Sequence, residues 1–110
     1  MEYKKYESLK EALDDTLRKD QEYFLVKHYL KKDGLIKRHY HPRANEWLII
    51  DNGKFEIRAD EVNHSFSVKN KFHAFKFLVA QKHAFRALSD LDYYVLRDAE
   101  DETVYSNSIF

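Results

Sequence analysis

Between Glu22 and Asp98 the chain is a succession of short segments rich in tyrosine, phenylalanine, valine and isoleucine, separated by polar and turn residues. They read EYFLVKHYL, LIKRHYH, EWLIID, KFEIRAD, HSFSVK, FHAFKFLVA, HAFRAL and DYYVLRD. Aromatic and β-branched side chains suit a pleated, half-buried surface. Several such strands at near-even spacing predict an all-β sandwich or small barrel over 22–97. The Asn-Gly of DNG at 51–53 tolerates positive φ and predicts a tight hairpin there, with KKDG at 31–34 as the next turn.

One stretch departs from this pattern. In ESLKEALDDTLRKD, Leu9, Ala12, Leu13 and Leu17 recur at helical spacing and form one apolar stripe. Ser8 followed by Glu11 is a capping-box pattern, so a helix is predicted over 8–19. Lys10–Asp14, Asp14–Arg18 and Asp15–Lys19 place opposite charges four residues apart on it. Its stripe needs an apolar surface to lie on. Leu48 and Ile50 alternate with Trp47 and Ile49, so that strand is apolar on both faces. One face fills the barrel; the other needs a second sheet, the helix or another subunit. Tyr40 and Trp47 fit such a second surface and hint at a homodimer.

The chain of 110 residues fits one domain, 1–110, closing in an acidic tail over 98–110. Nineteen basic and nineteen acidic residues cancel, so no global field favours nucleic acid or a membrane surface. The absence of cysteine removes disulfides, thiolate metal sites and cysteine nucleophiles. Apolar runs of four residues, such as Trp47–Ile50, are too short for a signal or a spanning helix, and a cytoplasmic protein is expected. The basic cluster of Lys27, Lys31, Lys32, Lys37 and Arg38 and the acidic cluster of Asp98, Glu100, Asp101 and Glu102 read as a solvated loop and a solvated tail. A sharper reading has Lys37 and Arg38 attract an anionic ligand.

The segment HYHPRANEWLIIDNG at 39–53 carries the chemistry. On a strand, His39 and His41 project from one face about 7 Å apart. Pro42 ends that strand, and Glu46 opens the next, which can return its carboxylate beside the imidazoles. His83, in AQKHAFRAL, opens a later strand and is a further candidate ligand. Three imidazoles and one carboxylate without sulfur suit one divalent transition metal (Fe, Mn, Ni, Zn or Cu) better than Ca or Mg. Four protein ligands on an ion that prefers six leave positions for a small molecule.

These residues resemble the first motif of the cupin superfamily: His-x-His, a short gap, Glu, six residues, Gly. They supply it at His39, His41, Glu46 and Gly53. KHAFRALSD resembles the segment of the second motif that provides the last ligand, with His83 in that place. The motif's glycines, proline and asparagine fall on Phe72, Leu78, Ala80 and Ala87, and its opening glycine on Asp33, one place before Gly34. The resemblance spans roughly 30–97. It implies a double-stranded β-helix (jelly-roll) barrel in which His39, His41, Glu46 and His83 hold one divalent metal. The activities it implies are dioxygenase or sugar isomerase and epimerase chemistry on a small molecule; the alternative is a non-catalytic metal- or ligand-binding module.

Among the other histidines, His28 and His64 read as structural and His73 as a core histidine hydrogen-bonded to backbone. Tyr40, Lys37, His73 and Gln81 are candidates for the pocket or its rim. With only two glycines there is neither a phosphate-cradling loop nor a nucleophile elbow.

Overall fold

Apolar alternation in the middle of the chain produces two strands much longer than the segments above suggest. In the computed structural model, which describes residues 1–17 and 22–110, EWLIID and KFEIRAD join into one strand, β4 (Glu46–Ala59), counted in chain order. HSFSVK and FHAFKF likewise join into β5 (Val62–Phe77). The remaining elements are β1 (Glu2–Tyr6), α1 (Leu9–Thr16), β2 (Phe24–Leu30), β3 (Leu35–Tyr40), β6 (His83–Ala87), β7 (Leu91–Arg97) and β8 (Val104–Tyr105). The all-β class with one N-terminal helix holds.

β4 organises the molecule because it belongs to two sheets. It pairs with β5 along its length, with β7 through residues 46–49 and with β6 through residues 55–59. One sheet therefore runs β2–β7–β4–β5–β1 and the other β8–β3–β6–β4–β5, with all pairings antiparallel. Leu48, Ile50, Phe75, Phe77, Leu91 and Tyr93 of the first face Phe55, Ile57, Ala59, Val68, Phe85 and Ala87 of the second and form the core. Burying each large side chain there contributes about 1.5–3 kcal/mol.

The expected hairpin at Asn52–Gly53 is not formed. The pairing of β4 with β5 slips at Ile50–Asn52, a bulge that bends β4 from one sheet into the other. Gly53 takes φ 124°, and a Cβ there would lie 2.3 Å from Leu91 Cδ2. Its glycine thus serves a strand crossing. The actual β4–β5 turn falls at Asp60–Glu61, both at positive φ. In KKDG the left-handed residue is Asp33 (φ 70°), with Gly34 N–H donating to Lys31 O at 2.8 Å.

The helix starts as its sequence requires: Ser8 Oγ accepts from Glu11 N–H at 3.1 Å, and Glu11 reaches back to Glu7 N–H at 3.0 Å. It ends at Thr16, earlier than expected, because Leu17 turns extended and stands out toward solvent. Of the expected charge pairs Lys10–Asp14 forms at 2.8 Å, while Arg18 and Lys19 lie outside the described residues. Asp15 instead binds Lys4 and Tyr6. Leu9, Ala12 and Leu13 pack on Ile49 and Ala74, so the helix covers the outer face of β4. Two strands were not foreseen: β1, which pairs with β5, and β8, which pairs with β3. Among the described residues no helix is long and apolar enough to cross a membrane.

The backbone makes two opposite expectations measurable by thermal unfolding. Gly53→Ala adds a side chain at positive φ against buried Leu91, and lowers stability by about 1–3 kcal/mol. Ala80 occupies φ 62°, so Ala80→Gly relieves left-handed strain and raises stability by roughly 0.5–1 kcal/mol. A lower Tm for the second variant contradicts that assignment of strain.

Candidate metal centre

Each of the four expected ligands is placed by the local course of its strand. His39, near the end of β3, is the direct partner of His83 at the start of β6. Their ring centroids lie 4.4 Å apart. His41 follows β3 immediately, its ring 5.1 Å from that of His39. Glu46 opens β4 opposite Arg97 of β7. All four side chains are buried, and their donor atoms lie within 4.8 Å of one another.

The carboxylate sits among cations and imidazoles. Glu46 Oε1 is 3.0 Å from His83 Nε2, and Oε2 accepts from Arg97 Nε at 2.8 Å. His41 Nε2 lies 2.9 Å from Oε2 but out of hydrogen-bond alignment, which leaves a buried nitrogen without a partner. Burial would raise Glu46, yet His41, His83 and Arg97 hold it well below the usual carboxylate range. Burial, followed by neighbouring His83, pushes His39 down to about 4, so its ring is neutral at pH 7. For His41, burial opposes protonation, but the Glu46 carboxylate outweighs it and the net shift is upward.

The far side of each ring fixes its proton. His39 Nδ1 lies 2.7 Å from Lys37 O, His41 Nδ1 3.0 Å from Glu102 O, and His83 Nδ1 2.8 Å from Gln81 O. A carbonyl oxygen only accepts, so each Nδ1 carries a hydrogen, and Nε2 is the nitrogen each ring turns toward the cluster. Outer carbonyls of this kind set tautomer and orientation at metal-binding histidines. Phe77 fixes one ring further, stacking on His83 at 4.0 Å and 5°. Three imidazoles, one buried carboxylate and the unpartnered His41 Nε2 fit a divalent transition ion.

The acidic tail is corrected by the structure: it forms one wall of the cluster. Asp101 has no exposed side-chain surface and accepts backbone N–H groups from Arg43, Ala44 and Glu102. Asp98 takes Asn45 N–H and Nδ2 at 2.8 Å each. Sequence showed the charge of these residues but not the unpaired backbone donors they serve. The loop 78–81 closes the opposite side, with Ala80 N–H donating to His41 O at 2.8 Å and Val79 N–H to Asn45 Oδ1 at 3.1 Å.

Beside Glu46 and His83 lies a cavity of about 80 Å³ lined also by His28, Ile36, Leu48, Phe77, Phe85, Tyr93 and Val95. None of Tyr40, Lys37, His73 or Gln81 lines it. Lys37 borders a separate surface hollow, and Arg38 is paired with Glu61 at 2.8 Å, so neither stands ready for an anion in the cavity. Gln81 is bound to Asp60 and to Leu78 N–H. His73 pairs with the Tyr3 hydroxyl at 2.6 Å, a side chain instead of the expected backbone group. His64 stacks on Phe66. His28, expected to be structural, is on the cavity wall with its ring 5.6 Å from Tyr93. Alternation aligns Tyr93 with Leu91 and Val95, but which face turned inward depended on a distant pairing with β2.

No family model and no curated protein matches the chain. Solved structures do. A sugar phosphate isomerase of the cupin superfamily from Silicibacter pomeroyi superposes with TM-score 0.65 at 17% identity, covering 80% of this chain and 58% of that one. An uncharacterised Klebsiella pneumoniae protein with a double-stranded β-helix domain gives 0.67 at 9%, covering 84% and 76%. A recombinant oxalate oxidase in complex with glycolate gives 0.63 at 15%, covering 76% and 45%. This chain thus spans little more than half of the first and under half of the third. Its architecture is that of these structures, a double-stranded β-helix, with one α-helix packed on its outside.

Proposed function

We propose that the chain is a metal-dependent cupin in which His39, His41, Glu46 and His83 hold one divalent transition ion and a small molecule binds beside it, for chemistry of the dioxygenase type. The observation that carries this reading is the convergence of three imidazoles and one buried carboxylate, their ligand atoms within 4.8 Å of one another, at the edge of an apolar cavity. When bound, the ion supplies Lewis acidity and, if redox-active, dioxygen activation. The chain itself orients the three rings through backbone carbonyls and holds Glu46 ionised through Arg97. Ile36, Leu48, Phe77, Phe85 and Val95 exclude water from the reacting molecule.

A sugar isomerase or epimerase would need anchors for several hydroxyls or a phosphate. Among the described residues the cavity wall holds no lysine or arginine, and its only polar side chains outside the cluster are His28 and Tyr93. That favours the oxygenase reading. Binding without turnover is the second reading, favoured by the small volume, about 80 Å³ against roughly 300 Å³ or more for common ligand pockets. Oxygen consumption over compact carboxylates, enediols and phenols separates them, since a metal-loaded protein that consumes none supports the binding module.

A homodimer would form through β2, whose Leu25 and Tyr29 are 46% and 56% exposed on one face of a strand that pairs only with β7 among the described residues. Sedimentation of Leu25→Lys against wild type tests it: the variant shifts to monomer.

His41→Ala abolishes metal retention and removes the rise in Tm that added metal gives the wild type. His64→Ala leaves metal content unchanged, and a loss there would place the centre elsewhere. Asp101→Ala frees the 43–44 backbone and weakens metal affinity about 10–100-fold, measured by chelator competition. Unchanged affinity would show that the C-terminal wall does not support the centre.

A further inference from the structure

Tyr93 is a buried side chain whose hydroxyl finds no hydrogen-bond partner among the described residues. It is 3% exposed, it lines the cavity beside Glu46 and His83, and its oxygen makes no hydrogen bond among the described residues. Tyrosine hydroxyls inside proteins usually find a hydrogen-bond partner. Its ring is held in place: Phe85 meets it edge-on at 5.2 Å and His28 stacks on it at 5.6 Å and 14°. Burial and the Glu46 charge push the phenol up to about 12, so at neutral pH it is a donor. The cavity therefore offers polar side chains from the cluster and, besides them, Tyr93 and His28, among the apolar side chains of Ile36, Leu48, Phe77, Phe85 and Val95.

We propose that Tyr93 is the specificity-determining donor of this site, its hydroxyl bonding a second oxygen function on a compact ligand whose first oxygen function sits at the His39–His41–Glu46–His83 cluster. This rests on the metal-centre reading and names its ligand class: small oxo acids, hydroxy acids or ketols, with two oxygen functions a few bonds apart. Size sets the same limit. A cavity of roughly 150 Å³ accommodates benzene, so about 80 Å³ encloses only a few heavy atoms beyond those at the cluster. A ligand with one oxygen function would leave the Tyr93 hydroxyl unpaired, and sites built to bond an oxygen discriminate against analogues that lack it.

The test uses pyruvate and isobutyrate, which share a shape but differ by a methyl group in place of the keto oxygen. Calorimetric titration of metal-loaded wild type and Tyr93→Phe, with metal content and Tm measured on both, reads the hydroxyl alone. Both proteins hold one equivalent of metal and melt alike. Tyr93→Phe binds pyruvate roughly three- to tenfold more weakly and isobutyrate unchanged; any advantage of pyruvate from chelating the metal persists in both. Equal pyruvate affinities overturn the proposal, as does an equal loss for the two probes, which would make Tyr93 a packing residue. Wild type that holds metal but binds neither probe overturns the ligand class. Wild type that retains no metal overturns the metal-centre reading and this proposal with it, whereas retained metal with no effect of the substitution overturns this proposal alone.

Discussion

The centre is built around one buried negative charge. A carboxylate withdrawn from water carries a penalty of several kcal/mol unless cations and donors surround it. Glu46 meets that requirement with Arg97 directly across the sheet and with His41 and His83 on its other sides. The geometry that satisfies the carboxylate also draws three imidazoles together, which the pairing of β3 with β6 alone would not do for His41. With a divalent ion at the centre all three rings can be neutral and Glu46 still compensated. Without one, His41 carries part of that burden, which is why its proton is held more tightly.

The clustering of His39, His41 and Glu46 was legible because their spacing is local: two histidines on one strand face, a proline stop, and a glutamate opening the returning strand. Alternation likewise marked the strand at 47–50 as apolar on both faces, with Leu48 and Ile50 in the barrel and Ile49 under the helix. Features that depend on distant partners were not legible. Glu2–Tyr6 is mostly exposed and lacks an apolar alternation, so only its pairing with β5 reveals it as a strand. His28 and Tyr93 face the cavity because β2 pairs with β7. Asn52–Gly53 suggested a turn by composition, but the space beside Leu91 and the switch of β4 between sheets gave that glycine a different use.

Two positions separate the motif's letters from its geometry. Asp33 and Ala80 stand where the resembled motifs place glycine, and both adopt the left-handed conformation that glycine adopts without strain. Aspartate tolerates it moderately, alanine poorly. At Ala80 the conformation persists because its N–H is committed to His41 O and its neighbours to Asn45 and Gln81. Surrounding contacts can therefore hold a backbone shape that the residue itself disfavours, and sequence alone does not display those contacts.

The dependence of His41 on Glu102 O has a consequence for biosynthesis. That carbonyl belongs to the last part of the barrel wall to be translated, together with Asp101, which fixes the loop after His41. A nascent chain that has emerged only as far as His83 carries all four ligand side chains but lacks the support that orients one of them. Full orientation of the cluster thus waits until residues 101 and 102 have been added and packed against the loop after β3.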